Sequence, residues 1–225
     1  LKITARNMKP WGKVAGEIIK LGSVQILRQA GQSILIVVIN HQLGRYGTNL
    51  HIAAYGILNR VMMFGFMPLA GIVQGFQPIA GYNFGAKKYD RVRKSVQLTS
   101  IIASIESVAF FLPMVIIPGQ ILTIFTLDLE LLTIGSAALP IVMAVVPLLG
   151  FQFVSSTYFL SIGQVIPAAV LTMSRQLLFL LPAIVIMPMF LGIRGVWLSF
   201  PVADGFSFLL SISWLIVAIK KLKHK

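Results

Sequence analysis

Long apolar runs separated by short polar gaps fill the chain, and six of them are long enough to cross a bilayer: residues 21–44, 50–82, 95–118, 131–161, 165–190 and 195–219. A helix needs about 20 residues to cross the hydrocarbon at a rise of about 1.5 Å per residue. The runs are continuous and lack the every-second-residue alternation of barrel strands, so helices are the predicted spans. Several exceed the minimum length, which predicts tilt or kinks. Pro68, Pro78, Pro113, Pro140, Pro147, Pro182 and Pro201 lie inside the spans or near their ends. Each removes a backbone donor there and tends to bend its helix, although proline is in general more frequent in membrane helices than in soluble ones. Gly71/Gly75 and Gly81/Gly85 form small-xxx-small pairs that permit close helix contact.

Composition supports a polytopic, all-α membrane protein. Of 225 residues, 57% are hydrophobic and only 11% charged, too few charges to solvate the surface of an ordinary soluble domain. The net charge of +13 raises the question of nucleic acid, but no basic helix or aromatic-basic motif of that kind is present. Topology explains the charge better. Lys2, Arg6, Lys9, Lys13 and Lys20 precede the first span; Lys87, Lys88, Arg91, Arg93 and Lys94 separate the second and third; Lys220, Lys221, Lys223 and Lys225 follow the sixth. With six spans all three clusters fall on one side, and the other holds only Arg45 and Arg194. The positive-inside rule then predicts cytoplasmic termini, with residues 1–20 as a cytoplasmic linker, 21–219 as the six-helix lobe and 220–225 as a basic tail. The gap Ser161-Ile162-Gly163-Gln164 is short and uncharged. Cysteine is absent, which removes disulfides and thiolate metal sites. No cleavable signal pattern is visible, and Leu1 is not an initiator methionine, so the chain reads as a fragment of a longer protein.

Polar residues inside the spans give the candidate chemistry. In the first, Gln25, Gln29, Gln32 and Asn40 fall in one sector about 80° wide at about 100° per residue. In the second, Tyr55, Asn59, Gln74 and Gln77 fall within about 100° on a straight helix. The fourth adds Gln152, Ser155 and Ser156. Such groups need partners in hydrocarbon, so these stripes face other helices or a wet cavity, and three helices offering them together favour a cavity. Charges are costlier still, roughly 2.5–3.5 kcal/mol for Arg or Asp at a helix centre. Arg28 and Arg60 sit near span ends, where their long side chains reach the interface. Glu106, midway along the third span, reads equally as a protonated carboxyl, a buried partner or a coupling site. Arg175 and Asp204 lie on the two arms of a helical hairpin turning near 190–193, at depths differing by roughly 6 Å. A long arginine side chain bridges such a mismatch, which predicts a structural ion pair.

Enzyme constellations are missing from the sequence. There is no Walker A motif, no glycine fingerprint after a strand, no HExxH, no GxSG-like turn with a helical histidine partner, and His41, His51 and His224 do not form a metal-ligand spacing.

The stretch from Met67 to Lys94 includes Gly75-Phe76-Gln77-Pro78-Ile79-Ala80-Gly81-Tyr82-Asn83-Phe84-Gly85-Ala86 and Tyr89-Asp90-Arg91-Val92-Arg93. It resembles the multidrug and toxic compound extrusion transporters, where their eighth helix enters a cytoplasmic loop. Ile52-Ala53-Ala54-Tyr55-Gly56-Ile57, Phe159-Leu160-Ser161-Ile162-Gly163-Gln164 and Gly195-Val196-Trp197-Leu198-Ser199-Phe200-Pro201-Val202-Ala203-Asp204 extend the likeness over nearly the whole chain. The resemblance implies the C-terminal six-helix half of a twelve-helix bacterial inner-membrane exporter, with a substrate cavity between it and a missing N-terminal lobe. It further implies outward movement of cationic or amphipathic drugs in exchange for protons or sodium ions, no cofactor, no bound metal and no enzymatic step. Gln32, Tyr55, Gln74, Gln77, Gln152 and Ser156 are the expected cavity contacts. Some branches of that family carry coupling carboxylates on the seventh and tenth helices. Here Gln32 stands at the first such position and Gln152 near the second, and a glutamine does not titrate near neutral pH. A related flippase for lipid-linked saccharides would use Arg28, Arg60 and Arg175 to hold pyrophosphate, and a non-transporting membrane scaffold would consume the polar stripes in helix contacts.

Overall fold

A computed structural model describes residues 12–223, with side chains described from 29 to 220. Residues 1–11, and with them Lys2, Arg6 and Lys9, lie outside the described residues, as do the side chains of Lys13, Lys20, Gln25 and Arg28 and those of the tail beyond Lys220. The described chain is all helix: α1 (Gly12–Tyr46), α2 (Asn49–Gly85), α3 (Tyr89–Ile116), a short α4 (Pro118–Thr123), α5 (Leu129–Met143), α6 (Val146–Ser161), α7 (Val165–Met173), a π-helical segment (Ser174–Leu180), α8 (Leu181–Leu191) and α9 (Ile193–Lys223). The six apolar runs map onto α1, α2, α3, the α5–α6 pair, the continuous helix 165–191 and α9. α1 is already helical at Gly12, well ahead of its apolar run, so the described residues preceding that run belong to its helix.

Four of these units, α2, α3, 165–191 and α9, are long and apolar enough to span a membrane, and α5 with α6 makes a fifth when taken as one bent span.

Local sequence explains the irregularities. The fourth predicted span is two helices meeting at 49°. Pro147, in the first turn of α6, has no N–H and its ring crowds the carbonyl four residues back, on Met143, where α5 ends. Pro182 has the same effect on the carbonyl of Leu178, and there the backbone responds by widening into the π-helical segment just upstream. Asp128 caps α5, its carboxylate accepting from the amides of Glu130 at 2.9 Å and Leu131 at 3.2 Å. His51 Nδ1 accepts the Thr48 backbone N–H at 3.1 Å and closes the first turn of α2. Gly192, at φ +58°, makes the tight reversal between α8 and α9.

Two apolar cores hold the bundle. One gathers Leu35, Ile39 and Leu43 of α1 with residues of α2, α5, α8 and α9; the other joins α2, α3, α6, α7 and α9 around Phe76, Val92, Val154, Tyr158 and Leu171. α2 and α9 contribute to both. The closest helix approach is not at the glycine pairs singled out from the sequence: nothing lies within 4 Å of a Cβ placed at Gly71, Gly75 or Gly85, and only Gly81 meets a neighbour, the Ser161 carbonyl oxygen at 3.0 Å. Tight backbone contacts occur instead at Gly150, where a Cβ would stand 2.5 Å from the Ala103 carbonyl oxygen of α3, and at Gly195, where it would stand 2.5 Å from the Met187 carbonyl oxygen of α8.

Candidate functional site

The polar residues of the spans fall into two sets. On α1, Gln29 is exposed and Gln32 and Asn40 are half-buried, while Gln42, a residue the stripe reading did not include, turns inward and is buried. On α2, Asn59, Arg60 and Gln74 are exposed and Gln77 is half-buried. Gln32, Gln74 and Gln77 therefore keep polar surface outside the apolar cores.

Tyr55, Gln152, Arg175 and Asp204 belong to the second, inward set. Asp204 is 1% exposed in the middle of α9. The π-helical segment carries Arg175 opposite it, with Nε donating to Asp204 Oδ1 at 2.5 Å and Nη2 reaching Oδ2 only at 3.4 Å. This is a charge-assisted contact with one strong and one weak arm. Tyr55 is buried, its ring 5.9 Å from that of Phe200 one turn before Asp204. The ion pair thus ties the π-helical segment to α9, and the aromatic pair ties α2 to the same stretch of α9.

Gln152 is part of the same interior. Its Nε2 donates to Ser207 Oγ of α9 at 2.5 Å, and at 5% exposure it is directed into the lobe. Ser156 is half-buried, and its hydroxyl donates to the Phe153 carbonyl at 3.0 Å, a local bond that leaves its oxygen able to accept. Glu106 is half-buried on α3. Sequence reasoning passed over Ser207 and Ser211, although their spacing from Asp204, three and then four residues, puts all three within a sector about 60° wide on α9. Serine alone is too common in membrane helices for that spacing to stand out before the partners are known. Among the described residues, no group of three or more His, Asp or Glu is placed to hold a metal ion.

Comparison with known proteins places this architecture. The multidrug export protein MepA of Staphylococcus haemolyticus is 25% identical over 206 residues, covering 91% of this chain and 44% of that protein. The solved structure of the MATE multidrug transporter DinF-BH in complex with R6G superposes with a TM-score of 0.81 at 36% identity, over 96% of this chain and 48% of its own. A MOP superfamily transporter from Pyrococcus furiosus, described as having a binding pocket of reverse polarity, shares the fold at a TM-score of 0.88 and 21% identity, over 99% of this chain and 50% of its own. The chain spans about half the length of the relatives it matches. The MatE family model matches residues 25–186, most of the sequence, and the chain belongs to the MatE family of membrane transporters, which are not enzymes.

Proposed function

We propose that this chain is one six-helix half of a secondary active exporter that moves drug-like cationic or amphipathic compounds outward across a bacterial inner membrane in exchange for protons or sodium ions. One observation carries the reading: a half-length chain related to multidrug export proteins keeps amides on α1 and α2 outside its own core. Gln32, Gln74, Gln77 and Ser156 are the substrate-facing groups, completed by a second six-helix half across the cavity. Tyr55 and Gln152 act from within the lobe. Arg175 and Asp204 form its structural ion pair. The positive clusters support a cytoplasmic position for both ends of the segment.

Recognition of an anionic pyrophosphate is less well supported. Of its three basic residues, Arg175 is engaged by Asp204, Arg60 is exposed, and the Arg28 side chain lies outside the described residues.

Cysteine accessibility tests the cavity wall in the full-length protein. Cysteines at 29 and 32 react with a membrane-impermeant thiol reagent, whereas residues as inert there as lipid-facing controls refute the assignment. Alone, the 225-residue chain inserts into proteoliposomes and shows no gradient-driven efflux, because one half lacks the alternating interface. Robust proton- or sodium-driven transport by the chain alone would overturn that reading.

A further inference from the structure

The seam between α6 and α9 holds polar groups that protein atoms do not satisfy. Among the described residues, Gln152 Oε1 and Ser211 Oγ are buried without a hydrogen-bond partner. Gln152 is 5% exposed, Ser207 and Ser211 are fully enclosed and Asp204 is 1% exposed, so bulk water does not reach them in this conformation. Turning the Gln152 amide over changes nothing: one end engages Ser207 and the other is bare. The Ser207 hydroxyl accepts that bond, leaving its own proton to give. Asp204 Oδ2 is held only by the 3.4 Å contact. Ser211 lies one turn, about 6 Å, beyond Ser207 on the same face.

We propose that this seam is a buried water-binding site, in which one water or a short file bridges the free end of Gln152, the hydroxyls of Ser207 and Ser211 and the loosely held oxygen of Asp204. Buried polar atoms in native proteins are paired, and where protein supplies no partner an ordered water does. Water suits the inventory because it offers two donors and two acceptors to a set containing a bare amide end, two hydroxyls and a carboxylate oxygen. A monovalent cation suits it poorly. Arg175 already supplies the positive charge for Asp204, and its guanidinium would repel a second cation beside that carboxylate.

Hydration gives the ion pair freedom to part. If Arg175 is drawn from Asp204 while the two halves of the transporter rock, water takes its place and the carboxylate is not left bare. That consequence rests on the exporter reading, whereas the hydration itself does not.

Phe151 and Phe208, the sequence neighbours of Gln152 and Ser207, pair ring to ring at 5.7 Å between α6 and α9 and serve as reporters. Full-length protein in nanodiscs is exposed to X-ray radiolysis, which generates hydroxyl radicals from bound water, and ring oxidation is read by mass spectrometry. Oxidation of both rings is expected to fall severalfold in Ser211→Val, which replaces the hydroxyl by methyl groups. Should that variant fail to fold, Gln152→Met serves the same purpose. Equal oxidation in wild type and variant overturns the proposal. So does stoichiometric binding of radioactive sodium that Asp204→Asn abolishes, since the occupant is then a cation. Gradient-driven efflux measured on the same preparations separates the two claims: a hydrated seam in a protein that exports nothing leaves the water site standing and removes the exporter reading.

Discussion

On α1, Gln29 is exposed and Gln32 and Asn40 are half-buried, whereas on α9 Ser199, Asp204, Ser207 and Ser211 are all buried. Both helices cross the same bundle and both break their apolar surface with polar side chains. α9 gives three of the four protein partners inside the lobe: Arg175 for Asp204, Gln152 for Ser207 and the Gly195 carbonyl for Ser199. α1 keeps most of its amides at the surface, where a cavity or a neighbouring half must supply the partners. The difference teaches that a polar stripe in a membrane helix signals unsatisfied chemistry without saying on which side the satisfaction lies. Each side predicts a different response to mutation.

The largest response belongs to the ion pair. Arg175→Gln or Asp204→Asn alone is expected to cost about 3–5 kcal/mol, because each leaves a buried charge without its partner, and the double substitution is expected to cost less than the sum. A double-mutant cycle in detergent, scored by thermal stability, reads this directly; additive single effects would mean the two charges do not sustain one another. A smaller loss, about 1–3 kcal/mol, is expected for Ser207→Ala, which strips Gln152 of its remaining protein partner. An unchanged melting temperature there would show that the amide is satisfied elsewhere. Smallest of all is the effect on α1, where Gln29→Leu and Gln32→Leu are expected to change stability by about 0.5 kcal/mol or less while lowering drug efflux. A large stability loss would erase the contrast between the helices.

The membrane bundle itself was legible in the sequence, since continuous apolar runs such as 165–190 and 195–219 admit no other reading once the charges are located between them. Less legible was how those runs break. Pro147 and Pro182 are both visible, yet one splits its span by 49° and the other only widens the turn before it. The choice depends on what packs around each helix, which one-dimensional spacing does not encode. Likewise, Gln152 reads as a cavity amide until Ser207 appears across the α6–α9 contact. The α4 helix and the Asp128 cap went unanticipated because six helical residues fall below any useful periodicity.

At 37 residues, α2 is about 55 Å long, while the hydrocarbon is about 30 Å thick. Even at a tilt of about 40°, the steep end of what membrane helices adopt, it would still reach about 12 Å beyond the hydrocarbon. Because both apolar cores grip this helix, it acts mechanically as a lever arm with its bearing inside the bundle. A rotation of about 10° about that interior bearing would sweep either end through about 5 Å. The basic turn at Lys87 and Lys88 rides on the end of that arm, so a displacement barely measurable in the core would be plainly visible there.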